Sequence, residues 1–235
     1  MLQADMHMHT NRDPEDSWIT HTPEQLIDHA AALGFDVLSI THHRRVIFEQ
    51  SWARRAKKLG MLLIPGTEAR IEGKDILLYN FTPKEVYDVR VLSDLNAYAK
   101  RRDRLIVAAH PFYPIPSLRD GTHSCGLVLQ RIKHVVDAVE YCHFYARLFN
   151  GFNRLAVWAA GRYGLPVVAN SDSHALSYMG SNYTLINANK DVRSIFAAIR
   201  AGKIKIVTRP RTSGELFKLG WNLLSPKVLK KLVAP

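Results

Sequence analysis

Short apolar segments alternate with longer amphipathic segments along most of the chain. Residues 35–41, 105–109 and 165–170 are mainly apolar and short, which is typical of strands that are buried on both faces. The segment 149–163 carries apolar residues at helical spacing and is followed by a glycine, which is typical of the end of a helix. Strands that alternate with helices predict a parallel sheet, either open or closed into a barrel, so the pattern favours an α/β fold.

Local signals set the bounds of two elements. Thr22 and Gln25 have the spacing of a capping box, and Pro23 suits the first position of the helix that they begin. Gly34 predicts the end of that helix. Further along, residues 72–74 predict the turn of a β-hairpin.

Side chains that can bind metals stand at the ends of six predicted strands. They are His9, His43, Glu68, His110, His143, and the pair Asp172 and His174. In a barrel of βα units the carboxyl ends of the strands meet at one rim, so we expect these side chains to share one pocket. Imidazoles and carboxylates without thiolates favour Zn, Mn or Fe. So many ligands predict two or three divalent ions, whose chemistry suits hydrolysis of a phosphate ester.

The first of these motifs contains two histidines behind an acidic residue. His7 and His9 are two positions apart, so in an extended strand their side chains point to the same face. Asp5 shares that face, and we expect it to orient one of the imidazoles by accepting a hydrogen bond.

Composition limits the class of protein. A chain of 235 residues with 47% hydrophobic and 23% charged residues fits one globular domain. Cys125 and Cys142 are too few for a disulfide framework or a cysteine zinc site, so a reduced, cytoplasmic setting is expected. No apolar run is long enough to predict a membrane span, and the first residues do not have the pattern of a signal peptide.

The formal net charge of +11 favours anionic partners, either a phosphorylated small molecule or a nucleic acid. Residues 209–235 form a basic C-terminal extension that lacks the βα rhythm. Within it, residues 227–233 predict a short basic amphipathic helix. Such a helix would pack on the exterior of the barrel or contact a nucleic acid or a lipid surface.

Five motifs in order resemble the PHP family, named for polymerase and histidinol phosphatase. They are Asp5-x-His7-x-His9, Thr41-x-His43, Gly66-Thr67-Glu68, His110-Pro111 and Ser171-Asp172-Ser173-His174. The resemblance covers residues 1–208, and it implies a distorted (β/α)7 barrel with two or three metal ions at its C-terminal rim. It also implies a metal-dependent phosphoesterase domain over those residues.

The resemblance implies a set of metal ligands, with Glu68 bridging two ions. The set is His7, His9, Asp16, His43, Glu68, His110, Asp172 and His174. Asp16 fits the position of the loop carboxylate better than Asp13 does. The chain departs from the family at His42, where an Asp is usual. It also has no match for the additional histidine that larger members place between the bridging Glu and the His-Pro motif, which leaves the second ion short of protein ligands. His143, at a strand end where we expect Asn, would fill that gap, as would a water or the substrate.

Several residues are candidates for roles beside the ions. His143 would contact the substrate or complete the ligands of the second ion, and Asp172 or His174 would carry the proton. Phosphate binding usually needs fixed cations, and Arg44 and Arg45 follow a strand end on the correct rim.

The function predicted first is hydrolysis of a phosphate ester by a hydroxide bridged between two or three metal ions. The substrate would be a small phosphomonoester, resembling histidinol phosphate, or a nucleotide. The alternatives are a PHP-type nuclease or DNA-processing accessory domain and, as a third choice, an amidohydrolase-type enzyme. Amidohydrolase barrels usually need a lysine at the end of a middle strand, and no apolar strand of this chain ends in one.

Overall fold

The computed structural model describes residues 1–113, 124–212 and 214–215. The amphipathic helix expected over residues 227–233 and most of the basic extension lie outside this range. No helix in the described part of the chain combines the length and the apolar character needed to cross a membrane.

Strands and helices alternate through the described residues. The strands are β1 (Leu2–Asp5), β2 (Val37–Leu38), β3 (Leu62–Leu63), β4 (Gly66–Ile71), β5 (Lys74–Tyr79), β6 (Leu105–Ala108), β7 (Ala138–Tyr141), β8 (Val167–Ala169), β9 (Asn182–Ile186) and β10 (Ile204–Thr208). The helices are α1 (Pro23–Ala32), α2 (Gln50–Lys58), α3 (Pro83–Asp88), α4 (Leu129–Ile132), α5 (Gly151–Tyr163) and α6 (Val192–Arg200). Short 3₁₀ helices occupy Leu92–Ala97, Gly126–Val128 and Leu176–Tyr178. The α/β class predicted from the sequence is therefore confirmed.

The strands form two five-stranded sheets, in the orders β10-β9-β1-β2-β3 and β4-β5-β6-β7-β8. The pairs β1–β2, β2–β3, β6–β7 and β7–β8 are parallel, whereas β9 and β5 run antiparallel to their neighbours. Isolated bridges pair Met8 with Ser173 and His43 with Glu68, and they link the two sheets beyond the strand ends. The described strands do not close into one barrel, so the seven-stranded barrel implied by the resemblance is not confirmed.

The capping box predicted at the start of α1 is present. The Thr22 hydroxyl accepts a hydrogen bond from the Gln25 backbone N–H, and the Gln25 side chain accepts one from the Thr22 N–H at 2.9 Å. Leu26 and Ile27 then point into the core and are fully buried. Burial of an aliphatic side chain of this size contributes about 1.5–3 kcal/mol, so these contacts hold α1 against the first sheet.

The hairpin of β4 and β5 positions one of the candidate ligands. It turns at Glu72 and Gly73, which have φ angles of 48° and 73°, as predicted from the sequence. At the start of β4, a Cβ atom on Gly66 would lie 2.2 Å from Ser39 Oγ, so only glycine allows this close approach of β4 to the end of β2. Glu68 follows two residues later and faces the end of the first sheet.

Candidate metal centre

His7 and His9 lie directly after β1, between the two sheets. Both imidazoles are fully buried, and their ring centroids are 5.3 Å apart. The backbone between them is held from both sides, because the Met8 N–H donates to Thr41 Oγ1 at 3.1 Å and the His9 N–H donates to the Ser173 carbonyl at 3.0 Å. The isolated bridges of the fold therefore bring motifs that are far apart in the sequence to one place.

The carboxylate of Glu68 lies at the middle of the centre. Nε2 atoms of four imidazoles lie 3.1–3.5 Å from its oxygens, those of His7, His9, His43 and His110. His7 and His9 follow β1, His43 follows β2 and His110 follows β6, as predicted for ligands at C-terminal strand ends. Glu68 corrects the prediction, because it is the third residue of β4 and not the last residue of a strand: the predicted strand is interrupted at Pro65, and β4 begins at Gly66.

Asp172 lies on the other side of the two N-terminal histidines. Its Oδ1 is 3.4 Å from His7 Nε2 and 3.3 Å from His9 Nε2. Asp172 has a φ of 46° and His110 has a φ of 21°, which are left-handed conformations that cost energy in residues other than glycine. Both strained residues place their side chains in the centre, Asp172 beside His7 and His9, and His110 beside Glu68.

A third cluster contains the loop after His9. Asp13 Oδ2 lies 2.8 Å from His9 Nδ1 and 3.0 Å from His43 Nδ1, while Asp16 Oδ2 lies 3.0 Å from His174 Nε2 and 3.6 Å from His43 Nδ1. Both loop carboxylates therefore face the centre, and Asp13, which the sequence interpretation placed second, is the more deeply buried.

The residues present fit divalent cations. The His7 Nε2, His9 Nε2 and Asp172 Oδ1 atoms are buried and have no hydrogen-bond partner among the described residues. Asp172 Oδ1 is nevertheless only 3.4 Å from His7 Nε2 and 3.3 Å from His9 Nε2. Two ligand atoms that each lie about 2.1 Å from one zinc ion are themselves roughly 3–3.5 Å apart. Three groups have ligand atoms that all lie within 4.8 Å of one another: His7, His9 and Asp172; His7, Glu68 and His110; and His9, Asp13, Asp16 and His43. Shared histidines join the three groups into one centre.

Buried charges shift the pKa values of the centre in opposite directions. Burial raises the pKa of Glu68 and Asp172, but the neighbouring imidazoles outweigh it and hold both pKa values well below their usual range. Burial lowers the pKa of His110 and His174, but Glu68 and Asp16 respectively outweigh it and raise each pKa to about 9. Without a cation, protons on the imidazoles therefore balance the carboxylates, and a bound cation would replace those protons.

Glu140 was missed by the sequence interpretation. Its carboxylate oxygens lie 3.0 and 3.2 Å from His7 Nδ1, and they also accept hydrogen bonds from the His110 backbone N–H at 3.1 Å and from Asn170 Nδ2 at 2.8 Å. A carboxylate bound to Nδ1 fixes the imidazole so that Nε2 faces the centre. Glu140 is in the middle of β7, and its only signal in the sequence is an acidic residue within an apolar strand.

Asp5 was predicted to orient a histidine, and the structure corrects this prediction. Its Oδ1 accepts the backbone N–H of Ser171 at 3.1 Å and that of His7 at 3.5 Å, so it holds main chain, and it has no hydrogen bond to an imidazole nitrogen of the described residues. Burial is the main cause that raises the pKa of Asp5 to about 7. Glu140, from the opposite sheet, takes the predicted role because it approaches His7 from the Nδ1 side.

The two histidines that depart from the family pattern are placed differently. His42 is fully buried, its Nε2 is 2.7 Å from Thr10 Oγ1, and it belongs to none of the three ligand groups. His143 lies in the centre, with Nδ1 3.3 Å from Asp172 Oδ2. Burial lowers the pKa of both imidazoles to about 3.

The two arginines predicted to bind phosphate are at the surface. Arg44 is 55% exposed and its guanidinium pairs with Glu15, which in turn lies 3.3 Å from Arg70. Arg45 is also exposed. Neither belongs to the buried cluster of imidazoles and carboxylates.

Aromatic side chains border the centre. The Trp18 indole stacks on the His174 ring with centroids 5.5 Å apart and planes 7° from parallel, and it is 40% exposed. On the other side, the Tyr113 ring is 5.4 Å from the His110 ring and 6.0 Å from that of Phe144. These rings cover imidazoles at the boundary between the buried centre and the surface.

Comparison with known proteins identifies relatives of the fold. A two-domain protein from Bacteroides vulgatus that contains a predicted PHP-like metal-dependent phosphoesterase aligns with a TM-score of 0.64 and 19% identity over 88% of this chain. This chain spans 65% of the length of that protein. PsfC from Pseudomonas syringae aligns with a TM-score of 0.60 and 17% identity, over 94% of this chain and 96% of its own. An amidohydrolase from Chromobacterium violaceum, with bound sulfate and no metal, aligns with a TM-score of 0.53 and 15% identity, over 73% of this chain and 87% of its own.

Sequence comparison gives one further finding. The PHP-associated family model matches residues 150–204, which contain α5, the Asp172 motif and α6. The comparison with curated proteins found no match. The family match at residues 150–204 and the shared fold agree with the resemblance to the PHP family seen in the motifs of this chain.

Proposed function

We propose that the chain is a metal-dependent phosphoesterase that hydrolyses a phosphomonoester. The observation that carries the proposal is the convergence of four imidazole Nε2 atoms within 3.5 Å of the Glu68 carboxylate. The PHP-like phosphoesterase within the Bacteroides vulgatus protein supports the reaction class through the shared fold. We also propose that the two sheets, linked by the bridges at Met8 and His43, correspond to the distorted (β/α)7 barrel of the family.

Two or three divalent ions, of Zn, Mn or Fe, would be held by the predicted ligands. These are His7, His9, Asp16, His43, Glu68, His110, Asp172 and His174. When bound, such ions polarise phosphoryl oxygens and make a bound water more acidic. Glu140 and Asp13 bind the Nδ1 atoms of the histidines and so keep each Nε2 directed inward.

Proton transfer is assigned to Asp172 or His174. His174 Nδ1 lies 3.0 Å from the backbone carbonyl oxygen of Asp172 and 3.6 Å from its Oδ1. The His174 side chain is 23% exposed, so we propose that this pair exchanges a proton with a leaving group at the edge of the centre. His143 lies against the same carboxylate and is proposed to contact the substrate. Arg45 keeps a proposed role as a surface cation, whereas Arg44 would have to leave Glu15 before it could bind phosphate.

The proposed setting is the cytoplasm. Cys125 and Cys142 are both free and buried, which suits a reducing compartment. The net charge of +11 supports an anionic substrate, which would be a small phosphorylated molecule or, as the alternative, a nucleic acid.

The test is a substrate panel on protein loaded with Zn, Mn or Fe. It contains p-nitrophenyl phosphate, bis-p-nitrophenyl phosphate, single-stranded DNA and a set of amides. We expect turnover of the monoester, abolished by Glu68→Gln, which removes the charge at the middle of the centre. Cleavage of DNA or of the bis-ester alone would favour the nuclease, and turnover of amides alone would favour the reaction named for the Chromobacterium violaceum protein.

A further inference from the structure

Arg211 follows β10 and packs back against the loops that carry the metal centre. Its backbone N–H donates to the Tyr145 carbonyl at 2.8 Å, and its guanidinium carbon lies 4.4 Å from the centroid of the Tyr178 ring. Tyr145 is two residues after His143, and Tyr178 is four residues after His174. Arg211 therefore lies between the two loops that present these histidines.

The Arg211 guanidinium is buried without a partner on two of its nitrogens. The residue is 6% exposed, and its Nε and Nη1 have no hydrogen-bond partner among the described residues. Arginine keeps its charge under these conditions, and a buried charge without hydrogen bonds is costly. A fold keeps such a group most readily where a ligand satisfies it.

Other arginines that are largely covered all bind carboxylates. Arg70 binds Asp75 at 2.9 Å, Arg104 binds Glu85 at 3.0 Å and Arg200 binds Asp137 at 2.8 Å. Among the described residues, Arg211 is the most deeply buried arginine, and no ion pair satisfies its Nε or Nη1. This contrast separates Arg211 from the arginines that stabilise the fold.

Arg211 is close enough to the centre for its charge to act there. His143 and Asp172 are both within electrostatic range of the guanidinium, although Glu215, which binds Arg209, acts on it more strongly than Asp172 does.

We propose that Arg211 is the fixed cation that binds the phosphoryl group of the substrate. This rests on the proposed function, and it moves the phosphate contact from Arg44 and Arg45 to the first residues of the C-terminal extension. A guanidinium donates charge-assisted hydrogen bonds to phosphate oxygens, and the unpartnered Nε and Nη1 lie on opposite edges of the group, so a phosphate on either edge would satisfy one of them. The site then selects dianionic phosphomonoesters over neutral esters and amides.

The test compares Arg211→Met and Arg211→Lys with Arg209→Met in metal-loaded protein. Arg209 is a matched control, because it is nearby in sequence but binds Glu215 through both terminal nitrogens, at 3.0 and 2.6 Å. The probes are inorganic phosphate, measured by calorimetry and as an inhibitor, and p-nitrophenyl phosphate. Metal content and the unfolding midpoint are measured for every variant.

We expect Arg211→Met to weaken phosphate binding and to lower kcat/KM by about 10- to 100-fold, as for the loss of a charge-assisted hydrogen bond. Metal content stays unchanged, Arg211→Lys recovers only part of the loss, and Arg209→Met stays within about twofold of the wild type. If Arg211→Met does not fold, Arg211→Lys decides the question.

Wild-type phosphate affinity in the folded Arg211 variants would overturn the inference, and so would a loss of metal in step with the loss of phosphate binding. The proposed function fails separately. If the wild type cleaves no ester but binds phosphate in a way that depends on Arg211, the reaction is wrong and the anion site stands.

Discussion

Replacing Glu140 by Gln tests whether this buried carboxylate orients the metal centre. Glutamine keeps the shape of the side chain but removes the charge and turns one acceptor oxygen into a donor. Glu140 accepts from three donors, the imidazole of His7, the backbone N–H of His110 and the amide of Asn170. In any orientation of the new amide, its NH₂ group therefore faces at least one of these donors.

The structure sets the size of the effect. One charge-assisted hydrogen bond to His7 contributes about 1.5–3 kcal/mol, and one buried donor left unpaired costs about 1–3 kcal/mol. Part of this loss appears as lower stability and part as a freer His7 ring. Replacing the hydrogen-bond partner of a metal-binding imidazole typically lowers metal affinity or activity by about 10- to 100-fold. We therefore expect Glu140→Gln to lower metal affinity by a factor of about this size.

The assay is calorimetric titration of the apoprotein with Zn²⁺ and Mn²⁺ at fixed pH, followed by kcat/KM for p-nitrophenyl phosphate. Glu85→Gln is the control, because Glu85 is also ion-paired, 3.0 Å from Arg104, but belongs to α3 and not to the centre. The control should lose some stability and keep the metal affinity of the wild type. Wild-type metal affinity in a folded Glu140→Gln protein would refute the reasoning.

Three further predictions concern protons, packing and the thiols. Because neighbouring carboxylates raise the pKa values of His110 and His174 to about 9, the apoprotein holds protons at pH 7 that a cation must displace. Calorimetry in buffers of different ionisation enthalpy should show proton release on metal binding, and affinity should rise from pH 6 to pH 9; uptake of protons would contradict the signs of these pKa shifts. Gly66→Ala should lower the unfolding free energy by about 1–3 kcal/mol or more, because the new Cβ would meet Ser39 Oγ at 2.2 Å. Gly161→Ala is the control in the same melting experiment and should be neutral or stabilising, because nothing lies within 4 Å of its new Cβ. Burial raises the pKa of Cys125 to about 12 and holds that of Cys142 well above its usual range. Iodoacetamide at pH 8 should therefore modify the native protein far more slowly than the unfolded chain, and equal rates would show that the thiols are accessible.

Most of the predicted ligands lie together because the topology of the strands brings them there. Parallel strands that alternate with helices bring their carboxyl ends to one side, so residues as distant as His9 and Asp172 could be assigned to one pocket without knowledge of the packing. The capping box at Thr22 and the turn at Glu72 were predictable for a different reason, because both depend on residues that are neighbours in the chain.

The parts that were missed depend on contacts between distant elements. Glu140 reaches His7 from the other sheet, and within its own strand it follows no pattern that separates it from a solvent-facing residue. Arg211 is in a segment without periodicity, and its burial follows only from the way that segment packs on Tyr178. Arg44 was chosen for its position after a strand end, but the partner that occupies it, Glu15, belongs to a loop whose conformation the sequence does not specify.

The division of the strands into two sheets has a similar cause. β3 and β4 follow each other along the chain but belong to different sheets. Pro65, between them, cannot donate a ladder hydrogen bond, and Gly66 then brings β4 close to the end of β2. The antiparallel insertion of β5 between β4 and β6 changes the strand direction again. A periodic pattern indicates that strands are present, but it does not determine whether they close into a ring.

The most direct test of the metal centre is elemental analysis of protein purified without chelator and then equilibrated with Zn, Mn and Fe, for the wild type and for Glu68→Gln. The Glu68 carboxylate lies within 3.5 Å of four imidazoles, so its loss should remove ligation shared between neighbouring ions. We predict two or three equivalents of metal per wild-type chain and fewer for the variant. A folded wild-type chain that holds no metal, or a variant that holds the same amount as the wild type, would contradict the account.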